Sequence, residues 1–115
     1  MRKLSFALRG IASAFAGEAN MKIHAAAALT VIILAAVLRV SPTEWCLLLF
    51  AAGSVVSAEL LNTAVERLCD RVTRERDDAV RAAKDIAAGA VLAAAVIAAA
   101  VGCIVFIPRI IDLLK

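Results

Sequence analysis

The sequence has few of the residues on which soluble nucleotide and nucleic-acid sites rely. It contains no tyrosine, one tryptophan and four phenylalanines among 115 residues. Basic residues interleaved with stacking aromatics, the pattern typical of nucleic-acid binding, are therefore missing, and nucleic acid is not an expected partner. No GxxxxGKS/T or GxGxxG loop and no HRD or DFG motif occurs. Any nucleotide site must be built from separate side chains.

Cysteine is also scarce, and its placement excludes two kinds of site. Cys46, Cys69 and Cys103 are far apart, and neither a CxxC motif nor a Cys/His cluster occurs. Zinc sites and disulfide frameworks both need cysteines at characteristic spacings, so neither is expected. We interpret the three cysteines as apolar packing residues.

Apolar sequence is what the chain has in excess. Hydrophobic residues make up 63% and charged residues 20% of the chain, which is unusual for a soluble domain. The segment 86–107 has no charge in 22 residues, 45–65 has one charge in 21, and 25–38 is a shorter run of 14. A helix needs about 20 apolar residues to cross a hydrocarbon layer about 30 Å thick. These runs predict an all-α integral membrane protein with three transmembrane helices.

The chain is predicted to form a single domain over 1–115 with four segments. Residues 2–17 carry apolar side chains at helical spacing, which predicts an amphipathic helix at the membrane surface or packed on the other helices. The spans are predicted at 23–40, 45–70 and 79–107. The second span is expected to extend beyond the membrane at its carboxyl end.

The distribution of basic residues predicts the orientation. Of 13 lysines and arginines, ten precede the first span or lie between the second and the third, and three lie in the remaining segments. Cytoplasmic segments carry the excess of basic residues in membrane proteins. The amino terminus and the loop 66–85 are therefore expected in the cytoplasm.

A polar stripe interrupts the second apolar run. It consists of Glu59, Asn62, Glu66 and Asp70. Their spacing places them within an arc of roughly 80° on one helix, and Glu59 lies about 21 Å along that helix from Trp45, inside the membrane. An ionisable residue at this depth is costly and usually marks a transport pathway or a site. No lysine or arginine lies in any of the three apolar runs to neutralise Glu59 in a merely structural pair.

Other charged residues are expected at the level of Glu66. Glu18 precedes the first span, and Lys84 and Asp85 begin the third. Carboxylates are preferred Mg²⁺ ligands, and a lysine can neutralise phosphate. Because phosphoryl transfer depends mainly on positioning and electrostatics, these residues favour a kinase that uses MgATP. The alternative is a small oligomeric channel or transporter subunit, since intramembrane carboxylates also line ion paths.

The segment Ala58–Asp70, followed by Ala83-Lys-Asp85, resembles the signature E-x-x-N-S/T-A-I/V-E-x-x-x-D and A-K-D of the prokaryotic diacylglycerol kinase and undecaprenol kinase family. Gly10, Glu18 and the three-span layout match as well, so the resemblance covers essentially the whole chain. It implies a homotrimeric enzyme of the bacterial inner membrane. The implied reaction moves the γ-phosphate of MgATP to diacylglycerol, giving phosphatidic acid, or to undecaprenol, giving undecaprenyl phosphate.

The resemblance also implies residue roles. Glu59 corresponds to the general base, and Glu18 and Glu66 correspond to Mg²⁺ ligands that also touch ATP. Arg76 and Asp77 depart from the aromatic residue and histidine that some members have in a nucleotide-contacting stretch. The nucleotide-contacting positions correspond to Asn62, Asp70, Glu75, Lys84 and Asp85, and Asp77 is expected at the nucleotide despite its departure from the pattern.

The resemblance is less specific about the residues that contact the lipid substrate. The run from Glu18 through Asn20 to His24 resembles the pattern E-x-N-F/M-K/R-I-H of undecaprenol-type members. Asn20 and His24 are therefore expected to contact the lipid substrate together with the base Glu59, although a histidine at the start of a helix is equally often structural. The resemblance leaves the acceptor open between diacylglycerol and undecaprenol.

Overall fold

The structure is a computed structural model, and it describes residues 2–115. The described chain consists of helix α1 (Arg2–Gly17), α2 (Ala19–Leu38), α3 (Pro42–Val72) and α4 (Asp78–Leu114), without a β-strand. Helices α2, α3 and α4 are each long and apolar enough to cross a membrane. The predicted all-α membrane fold, with three spanning helices and an additional amino-terminal helix, is confirmed.

The helices extend differently from the predicted spans. Helix α2 ends at Leu38, two residues before the end predicted for the first span, because Arg39 takes a left-handed conformation with φ 54° and its N–H bonds back to carbonyls of the last turn. Helix α4 continues past the predicted 107, through Pro108, to Leu114. A helix can be longer than the apolar run that crosses the bilayer, so the bounds of the helix and those of the span need not coincide.

Local side-chain contacts start the two longest helices. Ser41 accepts a hydrogen bond from the Glu44 backbone N–H, Glu44 accepts one from the Ser41 N–H, and Pro42 occupies the first turn of α3. This capping box satisfies backbone donors that a helix start leaves unpaired. At the start of α4, the Asp77 carboxylate accepts a hydrogen bond of 3.0 Å from the Val80 N–H.

The bundle has two ends, which we name by the connections found there. At the α2–α3 end, the connection 39–41 lies beside the last turns of α4. A buried apolar cluster draws side chains from all three spanning helices at this end: Ala35, Val40, Leu48, Val105 and Phe106. At the opposite, α3–α4 end, the connection 73–77 joins the two longest helices.

Helix α1 is attached to α3 at the α3–α4 end. Arg67 donates hydrogen bonds to the hydroxyl and the carbonyl oxygen of Ser13, at 2.8 and 3.1 Å. A Cβ at Gly17 would come within 2.9 Å of the Arg67 guanidinium, so a larger residue there would displace this contact. The large apolar side chains Leu4, Phe6, Leu8 and Ile11 remain exposed on α1, as expected of a helix that contacts lipid headgroups and acyl chains.

Candidate active site

The carboxylate of Glu59 is buried in the apolar part of α3. The residue is 4% exposed, and its Oε2 lies 3.4 Å from Nε2 of His24 on α2. Among the described residues, His24 alone brings a basic nitrogen within ion-pair distance of Glu59. The sequence analysis left His24 open between contact with the lipid substrate and a structural role. The structure shows it beside Glu59, as the partner that no lysine or arginine supplies.

One turn further along α3, two buried side chains have unpaired polar atoms. Asn62 donates from Nδ2 to Oε1 of Glu66 at 3.3 Å, whereas Asn62 Oδ1 and Thr63 Oγ1 have no hydrogen-bond partner among the described residues. A buried polar atom without a partner costs about 1–3 kcal/mol, so such atoms often mark a place that binds water or a ligand. Thr63 was not predicted, although it follows Glu59 by four residues on the same helix face.

A charged pair joins α3 and α4 just outside the apolar runs 45–65 and 86–107. Nζ of Lys84 donates a hydrogen bond of 2.8 Å to Oδ1 of Asp70. This hydrogen bond, reinforced by the opposite charges, holds the pKa of Asp70 below its usual value and the pKa of Lys84 above its usual value. Both groups are therefore charged at neutral pH. Because the pair is partly solvated, its main effect is to orient Lys84 rather than to stabilise the fold.

The same two residues line an open polar cleft of about 520 Å³ around the 73–77 connection. Ligand pockets are commonly about 300–1,000 Å³, so the cleft can accommodate part or all of a nucleotide. It brings together four of the predicted nucleotide-contacting residues: Asp70, Glu75, Asp77 and Lys84. Three arginines that were not predicted as nucleotide contacts also line it: Arg74, Arg76 and Arg81. Their signal in the sequence was a dense basic stretch in and just after the connection 73–77.

The remaining predicted residues lie outside the lining of this cleft. Glu18 stands between α1 and α2, half-buried, and its side chain does not cap α2. Its neighbour Gly17 contacts Arg67, which follows Glu66, so the α1–α2 junction and this turn of α3 meet. Asn20 and Asp85 are exposed. A single chain thus assembles part of the predicted site.

These residues could hold Mg²⁺ only in a site with few protein ligands. The described residues include no group of three or more His, Cys, Asp or Glu side chains that could hold a metal ion. Mg²⁺ in phosphoryl-transfer sites is commonly held by one or two carboxylates, with water and substrate phosphates completing the shell. Glu18 and Glu66, on segments that meet, fit that sparser arrangement, and the unpaired Oδ1 of Asn62 is a further oxygen donor beside Glu66.

Comparison with known proteins places the chain in one group. Residues 5–106 match the family described as prokaryotic diacylglycerol kinase. An undecaprenol kinase of Bacillus subtilis is 40% identical over 102 residues, which cover 89% of this chain and 83% of the relative. A diacylglycerol kinase of Synechocystis is 36% identical over 110 residues, 95% of this chain and 63% of the relative. The diacylglycerol kinase of Escherichia coli is 29% identical over 104 residues, 90% and 85% of the two chains.

Proposed function

The chain belongs to the prokaryotic diacylglycerol kinase family and is a lipid kinase, and from this premise we propose that it phosphorylates diacylglycerol or undecaprenol with the γ-phosphate of ATP. One observation carries the proposal. Helix α3 holds a buried carboxylate, Glu59, within its apolar part and contributes Asp70 to a charged cleft at its end. A lipid hydroxyl and a soluble nucleotide can meet only at such a boundary.

Glu59 acts as the general base of the reaction. It accepts the proton of the lipid hydroxyl while the oxygen forms its bond to the γ-phosphorus and the bond to ADP breaks. The base must lie within hydrogen-bond reach of that proton. Its depth in α3 allows a lipid to present the hydroxyl without leaving the bilayer, and Glu66 lies about 10 Å further along the helix, towards the nucleotide.

The cleft at the α3–α4 end holds the nucleotide. Lys84, Arg74 and Arg81 supply positive charge against the phosphates, and Asp70 orients Lys84 through their 2.8 Å hydrogen bond. Positioning and charge stabilisation are the main requirements of phosphoryl transfer. Glu75 and Asp77 line the cleft as well. The remaining predicted nucleotide contacts extend the site beyond it: Glu18, Asn62, Glu66 and Asp85.

Glu18 and Glu66 would hold Mg²⁺. The ion supplies positive charge against the phosphate oxygens when bound. The close approach of Gly17 to Arg67 supports this assignment, because it brings the segments carrying the two carboxylates together.

The enzyme is a homotrimer in the bacterial inner membrane, with its amino terminus and loop 66–85 in the cytoplasm. The basic residues of that loop support the orientation. The family resemblance supports the trimer. So does the structure's partial site, since Glu18, Asn62, Glu66 and Asp85 lie outside the cleft lining of one chain and a neighbouring chain can complete it.

The acceptor is a lipid alcohol that approaches Glu59 past Asn20 and His24. Relatives named for both lipids are similar to this chain over most of its length. The test uses the full chain in liposomes with γ-labelled ATP and Mg²⁺, and it offers diacylglycerol and undecaprenol separately. Labelled phosphatidic acid or undecaprenyl phosphate is expected, and its yield identifies the preferred acceptor. Label in neither lipid would overturn the proposal, and ion flux without ATP consumption would favour a channel.

A further inference from the structure

His24 is held in place by the packing of α2. Met21, three residues earlier on the same helix face, is completely buried, and His24 itself borders a small, partly open apolar cavity of about 90 Å³ between α2, α3 and α4. Residues three and four apart share a helix face. His24 therefore lies on the buried side of α2, and its ring meets Glu59 on α3.

Glu59 needs such a neighbour. Burying a carboxylate away from water is costly unless it is paired or hydrogen-bonded. The cavity that His24 borders is otherwise lined by alanine, valine and leucine side chains and a glycine. On α3 itself, the Asn62 amide donates to Glu66 rather than to Glu59.

We propose that His24 is the positioning residue of the base: its Nε2 holds Oε2 of Glu59, so that the carboxylate stays turned towards the acceptor hydroxyl. This inference rests on the proposed function of Glu59. The separation of 3.4 Å is longer than the roughly 2.7–2.9 Å of a tight charge-assisted hydrogen bond. The ring thus steers one oxygen electrostatically and leaves Oε1 to take the proton of the lipid alcohol.

The role differs from direct contact with the lipid, which the sequence suggested. A residue that binds the lipid headgroup changes the apparent affinity for the acceptor whether or not the base is present. A residue that acts through Glu59 changes turnover and has no effect once Glu59 is replaced. The two roles therefore separate in kinetics.

The kinetic test compares His24→Leu, His24→Gln and Glu59→Gln in liposomes. His24→Leu is expected to lower kcat by about 10–100-fold, because a small misplacement of a catalytic group is costly, with the KM for ATP unchanged. His24→Gln, which retains an amide donor near the Nε2 position, is expected to recover most of that loss. In the Glu59→Gln background, His24→Leu should cause no further loss. A raised acceptor KM or a further loss in that background would overturn the proposal.

A spectroscopic test needs no turnover and no folded His24 variant. The chain contains one histidine, so ¹⁵N-histidine labelling reports on His24 alone. Glu59→Gln is expected to shift its ring-nitrogen resonances, whereas Glu44→Gln, at the other end of the bundle, should leave them in place. Unchanged resonances in Glu59→Gln would overturn the pairing. Shifted resonances in a chain that phosphorylates neither lipid would overturn the proposed function, and with it the positioning role, while the pair itself would stand.

Discussion

The two ends of the bundle use charged residues in opposite ways. At the α2–α3 end, Glu44 caps its own helix and also accepts hydrogen bonds from Arg109, whose guanidinium bonds to the Arg39 carbonyl as well. At the α3–α4 end, charged side chains line an open cleft, and buried polar atoms of Asn62 and Thr63 lack partners.

This difference separates polar groups that stabilise the fold from polar groups that are available to bind a ligand. Paired groups over an apolar cluster fix the register of three helices and leave little capacity to bind anything else. Unpaired groups beside a cleft reduce stability unless a ligand contacts them. The comparison predicts that substitutions at the α3–α4 end impair turnover, whereas substitutions at the α2–α3 end impair stability.

The largest effect is expected from Glu59→Gln. Removing the base should lower kcat by about 10²–10⁴-fold, the usual contribution of general-base catalysis, without weakening ATP binding or folding. Labelled-phosphate transfer in liposomes measures turnover, and equilibrium ATP binding provides the second readout. Arg109→Gln, at the opposite end, serves as the matched control and should keep turnover near the wild-type level. Near-normal activity of Glu59→Gln would remove the base assignment.

A smaller effect is expected from Lys84→Met. The variant loses a positive charge that faces the phosphates and leaves Asp70 unpaired in the cleft, so kcat/KM for ATP should fall by about 10–100-fold, in keeping with the strength of charge-assisted bonds to phosphate. Initial rates across ATP concentrations measure it. Lys84→Arg should retain part of the activity, and Lys115→Met, at the chain end, should retain all of it. An unaltered KM for ATP would contradict a nucleotide role for the cleft.

Glu66→Gln should act on the metal requirement. With one of two carboxylate ligands neutralised, half-maximal activity should need about tenfold more Mg²⁺, because the ion prefers charged oxygen ligands. A Mg²⁺ titration at constant free ATP measures this change, with Asp112→Asn at the α2–α3 end as the control. The same Mg²⁺ dependence as in the wild type would argue against a ligand role for Glu66.

The smallest effect on activity, and a clear effect on stability, is expected from Arg109→Gln. Hydrogen bonding to Arg109, followed by that to the Ser41 backbone, lowers the pKa of Glu44 from 4.5 to about 2. A carboxyl whose folded pKa is depressed stabilises the fold fully above its unfolded value and loses that contribution as the pH falls towards the folded value. Wild-type stability should therefore decline between pH 4.5 and about 2, and the variant should lose less over that window.

Thermal unfolding in detergent across this pH range checks the prediction. At neutral pH the variant should unfold about 2–4 °C below the wild type, the scale expected for a partly solvated pair in a chain of this size. Lipid phosphorylation at neutral pH should be unchanged. An identical pH dependence in both proteins would show that Arg109 does not govern the titration of Glu44.

The predictable part of the molecule was the part that depends on local sequence. Long uncharged runs indicated α2, α3 and α4 because transfer of apolar side chains into lipid is nearly additive along a helix. The spacing of Glu59, Asn62, Glu66 and Asp70 placed them on one face because the helical period is the same in any context. Family motifs supplied the roles proposed for these residues.

Contacts between segments distant in sequence were decided by tertiary structure alone. His24 on α2 meets Glu59 on α3, Arg67 reaches Ser13 on α1, and Arg109 reaches Glu44 from the far end of the chain. No period in the sequence encodes which faces of two helices meet, since that depends on the packing of every side chain between them. The sequence by itself therefore determined which helices form and which residues share a face, and the packing of the helices decided which charges have partners.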